Sequence, residues 1–190
     1  KRQAFKFILA LAIKNRLKTT DVFNQYVDIA TLGTIADVVP LLGENRVIVD
    51  KGLKILHNPK RIGIRAIMEV AGVLDKPLNA STIAFSIAPR LNAAGRLGSA
   101  ATAVELLLTN DESRARELAL LLDTENKERQ QTERQIFDEA LELIAKDPNF
   151  EKKKVIVLAQ ENWHQGVIGI VASRLCDMYY KPCILISHTN

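Results

Sequence analysis

The chain has 190 residues, 47% of them hydrophobic but only 5% aromatic, and a net charge of +4. That length holds one large domain or two small ones, built around an aliphatic core. No apolar run is long enough to span a membrane, and no signal peptide is expected at the start, where Lys1-Arg2-Gln3 leads into an amphipathic segment.

Residues 4–17 read as a helix, with Phe5, Ile8, Leu9, Ala12 and Ile13 on one stripe. Thr20 and Asp21 can cap a second helix running to about Asp37, and Pro40 and Gly43 end that region. Residues 45–57 predict a third helix, with Val47, Val49, Leu53 and Leu56 inward. Residues 62–72 predict a fourth, closing at Gly72. Asn79 or Ser81 opens a fifth that stops before Pro89, and Ser99 or Ala100 starts another that ends near Thr109-Asn110.

Asp111 begins the longest periodic segment, which runs to about Lys146 and reaches about 50 Å at the helical rise. Leu118, Leu121 and Leu122 pack at its start; Ile136, Ala140, Leu143 and Ile144 pack at its end. Residues 123–131 between them are polar all round, the pattern of a solvent-bridging spacer; the competing reading is two helices broken near Asn126. After Pro148 the pattern changes to a strand at 155–159, a helix at 166–180 and a strand at 183–186. That spacing is a βαβ unit with parallel strands. Such a unit alone leaves sheet edges uncovered, which predicts a fragment. Cys176 and Cys183 lie in apolar runs and read as core filling in a reducing cytoplasm.

Charge follows these divisions. Residues 1–110 carry a balance of +7, residues 111–147 a balance of −5, and residues 148–190 a balance of +2. Two basic regions flanking an acidic connector suit a polyanion, or else a solvated lysine-rich surface.

Three segments carry candidate chemistry. In Gly33-Thr34-Ile35-Ala36-Asp37-Val38-Val39-Pro40, Asp37 follows an apolar helix, where a carboxylate opposes the helix dipole. Either a cation such as a divalent metal compensates it, or it caps a turn through its own backbone. Pro89-Arg90-Leu91-Asn92-Ala93-Ala94-Gly95-Arg96 sets Arg90, Asn92 and Arg96 among small residues. Pro89 and Gly95 argue for a loop, one whose guanidinium forks hold a phosphate or are solvated. The third segment, Trp163-His164-Gln165-Gly166-Val167-Ile168-Gly169-Ile170-Val171-Ala172-Ser173-Arg174, joins a parallel strand to a helix N-terminus, a natural anion site. There His164 binds phosphate, acts as acid or base, or caps the helix. Arg174, in the helix, needs a partner or snorkels to the surface.

Read in this order, the segments Gly33–Leu41, Pro89–Arg96 and Trp163–Ile170 resemble the RecJ single-strand-specific DNA exonucleases of the DHH phosphoesterase superfamily, along essentially the whole chain. The long helix with Asn126 and Arg129 is part of the likeness. The resemblance implies an α/β fold: residues 1–110 the mostly helical C-terminal part of a DHH domain, 111–147 a long interdomain helix, and 148–190 the first βαβ of the DHH-associated domain. It implies a manganese or magnesium pair, with Asp37 the last metal-binding aspartate and Asp28 the alternative. Arg90, Asn92 and Arg96 match a loop near the scissile phosphate. His164, Ser173 and Arg174 match the region holding phosphates and the strand's 5′ end.

The implied activity is metal-dependent 5′→3′ hydrolysis of single-stranded DNA in repair and recombination, in the cytoplasm, with a helicase or single-strand-binding protein as partner. The family's aspartate-rich and Asp-His-His motifs do not occur in the chain, nor does the glycine- and histidine-containing motif that ends the associated domain. The expectation is therefore a fragment, inactive alone, with most metal ligands outside it. The alternatives are a DHH phosphodiesterase for oligonucleotides or cyclic dinucleotides, and a non-catalytic DNA-binding scaffold of the same fold.

Overall fold

The computed structural model describes residues 2–188. Helix α1 (Arg2–Lys14) buries Phe5 and Ala12 against α2 (Thr19–Ala36), where Phe5 meets Phe23 with ring centroids 5.3 Å apart. Ile13, expected inward, is exposed. Thr20 and Asp21 do not cap α2. The helix starts at Thr19 behind Lys18, and Asp21 sits in its first turn, where a carboxylate favours the dipole.

Helix α3 (Glu44–Leu56) crosses α2 at Gly52, where a Cβ would lie 1.8 Å from Thr31 Oγ1. That hydroxyl donates to the Ile48 carbonyl at 3.0 Å, so glycine is the residue this crossing admits. Ile48, not Val47, faces inward with Val49 and Leu56; Val47 is 54% exposed. Helix α4 (Ile62–Val70) touches α7 (Ala101–Leu108) backbone to backbone, since a Cβ on Gly63 would lie 1.7 Å from the Leu106 carbonyl oxygen.

The largest departure from expectation lies between them. Asn79 caps a short helix, α5 (Ala80–Thr82), by accepting from the Thr82 amide at 2.9 Å. The chain then passes through a π-turn (Ile83–Ile87) straight into α6 (Ala88–Leu97). Pro89 does not end the helix, and residues 89–96 form no loop. A proline ring clashes with the carbonyl four residues back in a regular helix. Here the wider turn, closed by the Ala88 amide on the Ile83 carbonyl, lies immediately before Pro89 and gives the ring room.

Helix α8 (Glu112–Ala145) is one unbroken element of 34 residues, capped by Asp111 accepting from the Arg114 amide at 2.9 Å. Its first half closes a core with Ile64, Ile67 and Met68 of α4, Ile83 and Ile87, Leu106 of α7, and its own Ala115, Leu118 and Leu122. Each such large side chain contributes about 2 kcal/mol over its exposed state. Its second half builds a separate core: Ile136, Ala140 and Ile144 pack with Phe150, Ile156, Trp163, and Val167, Val171 and Leu175 of α9 (Gln165–Tyr179).

Strands β1 (Ile156–Glu161) and β2 (Cys183–His188) pair in parallel, Ile156 opposite Cys183 through Glu161 opposite His188. With α9 they form the expected βαβ unit, so the mostly helical α/β expectation holds. Val157, Ile184 and Ile186 lie on the uncovered sheet face. Both cysteines are free thiols, and burial, then the neighbouring Cys176, pushes Cys183 up to about 11. No helix among the described residues is long and apolar enough to cross a membrane.

Candidate functional site

The three sequence segments fold into one continuous line of contacts. The end of α2 meets α6: Gly33 and Ala36 line the same cavity, of about 370 Å³, as Leu91 and Asn92. The end of α6 in turn meets the start of α9. Arg96 Nη1 donates to the Gly166 carbonyl at 2.9 Å, while a Cβ on Gly166 would lie 2.3 Å from the Arg96 carbonyl oxygen. Gly166 is thus small where α6 approaches. Gly95 faces open space, with nothing within 4 Å of where its Cβ would be.

Asp37 is the exposed C-cap of α2, its amide donating to the Gly33 carbonyl at 3.3 Å. The next residue, Val38, adopts φ 51°, a left-handed conformation that a β-branched residue rarely takes and that marks a strained turn. No group of three or more His, Cys, Asp or Glu among the described residues could hold a metal ion. Asp37 can offer one carboxylate to such an ion, not a site. Asp28 is buried and accepts from Arg61 Nε at 2.9 Å, so a guanidinium already occupies it.

Arg90 is not a solvated loop arginine. Its Nε donates to Asp123 Oδ1 of α8 at 2.8 Å and its Nη1 to the Ser86 carbonyl in the π-turn, with 18% of the side chain exposed. Burial opposes ionisation of Asp123, but Lys127 at 2.8 Å and Arg90 outweigh it and hold the carboxyl below the usual range. Arg90 therefore ties α6 to α8. Asn92 and Arg96, on the same helix, are exposed.

At the start of α9, His164 caps the helix: its Nδ1 accepts from the Gly166 amide at 3.1 Å. The imidazole is otherwise exposed, as is Ser173. Arg174 finds its partner on α8, donating through Nη1 to Glu133 Oε1 at 3.0 Å, with its guanidinium carbon 4.0 Å from the centroid of the Phe137 ring. Trp163 is buried and donates to Glu139 Oε2 at 2.6 Å, pinning the β1–α9 turn to α8.

The polar middle of α8 is accordingly not a bare spacer. Asp123 and Asn126 are buried, and Arg129 donates to Asn126 Oδ1 at 3.1 Å and to Glu133 Oε2 at 2.7 Å. Sequence reasoning missed Glu133 and Asp123. The signals available for them were the i,i+4 pairs Arg129/Glu133 and Asp123/Lys127, which surface helices also show. Asn92, Arg96, His164, Ser173 and Arg174 are all exposed, with Arg96 set against the start of α9 and Arg174 against α8. Guanidinium, imidazole, amide and hydroxyl donors of this kind suit an extended anion.

No protein-family model matches the chain. It is 41% identical over 163 residues to the single-stranded-DNA-specific exonuclease RecJ of Bacillus subtilis, covering 86% of the chain and 20% of that protein. It is 43% identical over 196 residues to the Haemophilus influenzae protein of the same name, covering 98% of the chain and 34% of the relative. Among solved structures it is similar to RecJ of Thermus thermophilus in complex with Mg2+, with a TM-score of 0.82 and 38% identity over 94% of the chain and 27% of that structure. It is similar also to an exonuclease RecJ bound to manganese, with a TM-score of 0.83 and 38% identity, covering 97% of the chain and 45% of that structure. The chain spans between a fifth and about a third of the length of these two curated relatives.

Proposed function

This chain belongs to the RecJ family as a segment of it, and from that premise we propose that it forms part of a metal-dependent exonuclease that hydrolyses single-stranded DNA from the 5′ end, in DNA repair and recombination. The observation that carries the reading is the line of contacts from the end of α2, which Asp37 caps, through α6 to the start of α9, where Arg96 meets Gly166.

In this reading Asn92, Arg96, His164, Ser173 and Arg174 bind successive phosphates of the strand, and Arg90 acts indirectly by fixing α6 on α8 through Asp123. Asp37 contributes one ligand to a Mn2+ or Mg2+ site whose remaining ligands come from outside this chain. A divalent metal, when bound there, supplies Lewis-acid stabilisation at the phosphoryl group and an activated water. Residues 1–110 then serve as the C-terminal part of the catalytic DHH domain, 111–147 as the connector, and 148–190 as the start of the associated domain. Contacts made to phosphate rather than to base edges make the expected binding sequence-tolerant and steeply weakened by salt. A helicase or single-strand-binding protein would supply the unwound strand.

The test uses the intact protein containing this segment, Mn2+, and 5′-labelled single-stranded and duplex oligonucleotides. Stepwise release of nucleotides from the single strand alone is expected. Asp37→Ala should remove turnover while retaining binding, and Arg96→Ala should weaken binding about tenfold. Binding without cleavage would select a scaffold role, and preference for dinucleotides over polymers a small-substrate phosphodiesterase. The 190-residue chain alone should leave DNA intact under the same conditions.

A further inference from the structure

We propose that Glu133 and Phe137 are positioning residues that hold the Arg174 guanidinium in its DNA-binding orientation; the inference rests on the reading of Arg174 as a phosphate contact. Glu133 is shared between two cations, Oε2 accepting from Arg129 and Oε1 from Arg174. Arg129 and Glu133 are enclosed, with 12% and 15% of their side chains exposed, whereas Arg174 keeps 45%. Arg129 is itself fixed by Asn126, and its Nε is buried with no hydrogen-bond partner, so its charge depends on Glu133 for compensation. One carboxylate thus anchors on an enclosed guanidinium and presents its second oxygen to a half-exposed one.

Phe137 lies one helical turn beyond Glu133, on the same face of α8, and offers its ring to the Arg174 guanidinium. A long arginine side chain free in solvent loses much rotamer freedom on binding an anion. One already held by a carboxylate at its edge and a ring nearby has lost that freedom on folding. Arg174 bonds Glu133 through Nη1, and 45% of its side chain stays exposed. Neither Glu133 nor Phe137 need touch the strand for this to operate.

The experiment measures Kd for a fluorescent single-stranded oligonucleotide by anisotropy, in EDTA, with kcat measured separately in Mn2+, on the intact protein. Glu133→Gln keeps the shape and removes the charge; Phe137→Leu keeps an apolar side chain and removes the ring. Each should raise Kd about fivefold with kcat within about twofold, and neither should raise it further in an Arg174→Ala background. Equal losses with and without Arg174 would overturn the proposal, because the two residues would then act on the fold at large. An unchanged Kd in Arg174→Ala would overturn both the proposal and the reading of Arg174 as a contact. Silence of Glu133→Gln and Phe137→Leu beside a weakened Arg174→Ala would overturn the positioning role alone. Should Glu133→Gln fail to fold, Phe137→Leu with its double variant decides the question.

Discussion

At the residue scale, the decisive groups are the half-hidden charges where α6 and α9 meet α8. Arg90 and Asp123 are both largely enclosed, so removing the carboxylate strands a guanidinium whose other bond is to the neutral Ser86 carbonyl. Asp123→Ala should destabilise the chain by about 3 kcal/mol, measured by urea unfolding, whereas loss of an exposed pair such as Lys54–Asp50 should cost under about 1 kcal/mol. Glu125 behaves oppositely. Burial, and then the neighbouring Glu128 charge, raise its pKa, and one of its oxygens is buried without a partner. The folded chain thus holds that proton more tightly than the unfolded chain. Its contribution to stability is full below the ordinary carboxylate range and is lost as pH rises through the raised value. Glu125→Gln, which imitates the protonated form, should therefore raise the melting temperature near pH 7 and leave it unchanged near about pH 4.

At the element scale, the π-turn before Pro89 is what lets a proline sit inside a helix. Deleting Phe85, which is 82% exposed and packs little, restores regular helical spacing. Pro89 then meets a carbonyl it now avoids, and the deletion should destabilise the chain. Adding Pro89→Ala to the deletion should recover about 3 kcal/mol, read by circular dichroism in a urea titration. The same element shows where sequence reading reached its limit. Asn79 as a cap, the α4 stop near Gly72, the length of α8 and the parallel βαβ unit were all legible, because each rests on local chemistry or on unbroken periodicity. Helix α6 was not, because a proline inside a short apolar run signals a break unless the turn before it widens. Nor does residue type show which oxygen Arg90 or Arg174 will find, since Asp123 and Glu133 lie 33 and 41 residues away along the chain. The candidate residues were named from the sequence; their division into buried anchors and exposed donors came from packing.

At the scale of the whole molecule, two hydrophobic cores hang on one helix, the first ending at Leu122 of α8 and the second beginning at Ile136. Trp163, the single tryptophan, is buried in the second core and reports on it alone. Helical circular dichroism is dominated by the first. Leu118→Ala should move the dichroism transition and leave tryptophan fluorescence nearly in place, and Leu175→Ala should do the reverse, each by about 2–4 kcal/mol. Coincident shifts in both probes would instead mark one cooperative unit. The pairing of Arg96 with Gly166 bears on how the two halves hold their relation. A rod fixed to two bodies still lets them swivel about its axis, but a second tie between the bodies turns the pair into a braced triangle. Arg96 offers its carbonyl edge and its guanidinium to one glycine across 70 residues of chain. That brace allows the gap between the halves to be set by the length of α8, as a caliper is set by its arm, and any variant that adds or removes a turn of α8 would have to break the tie to fold.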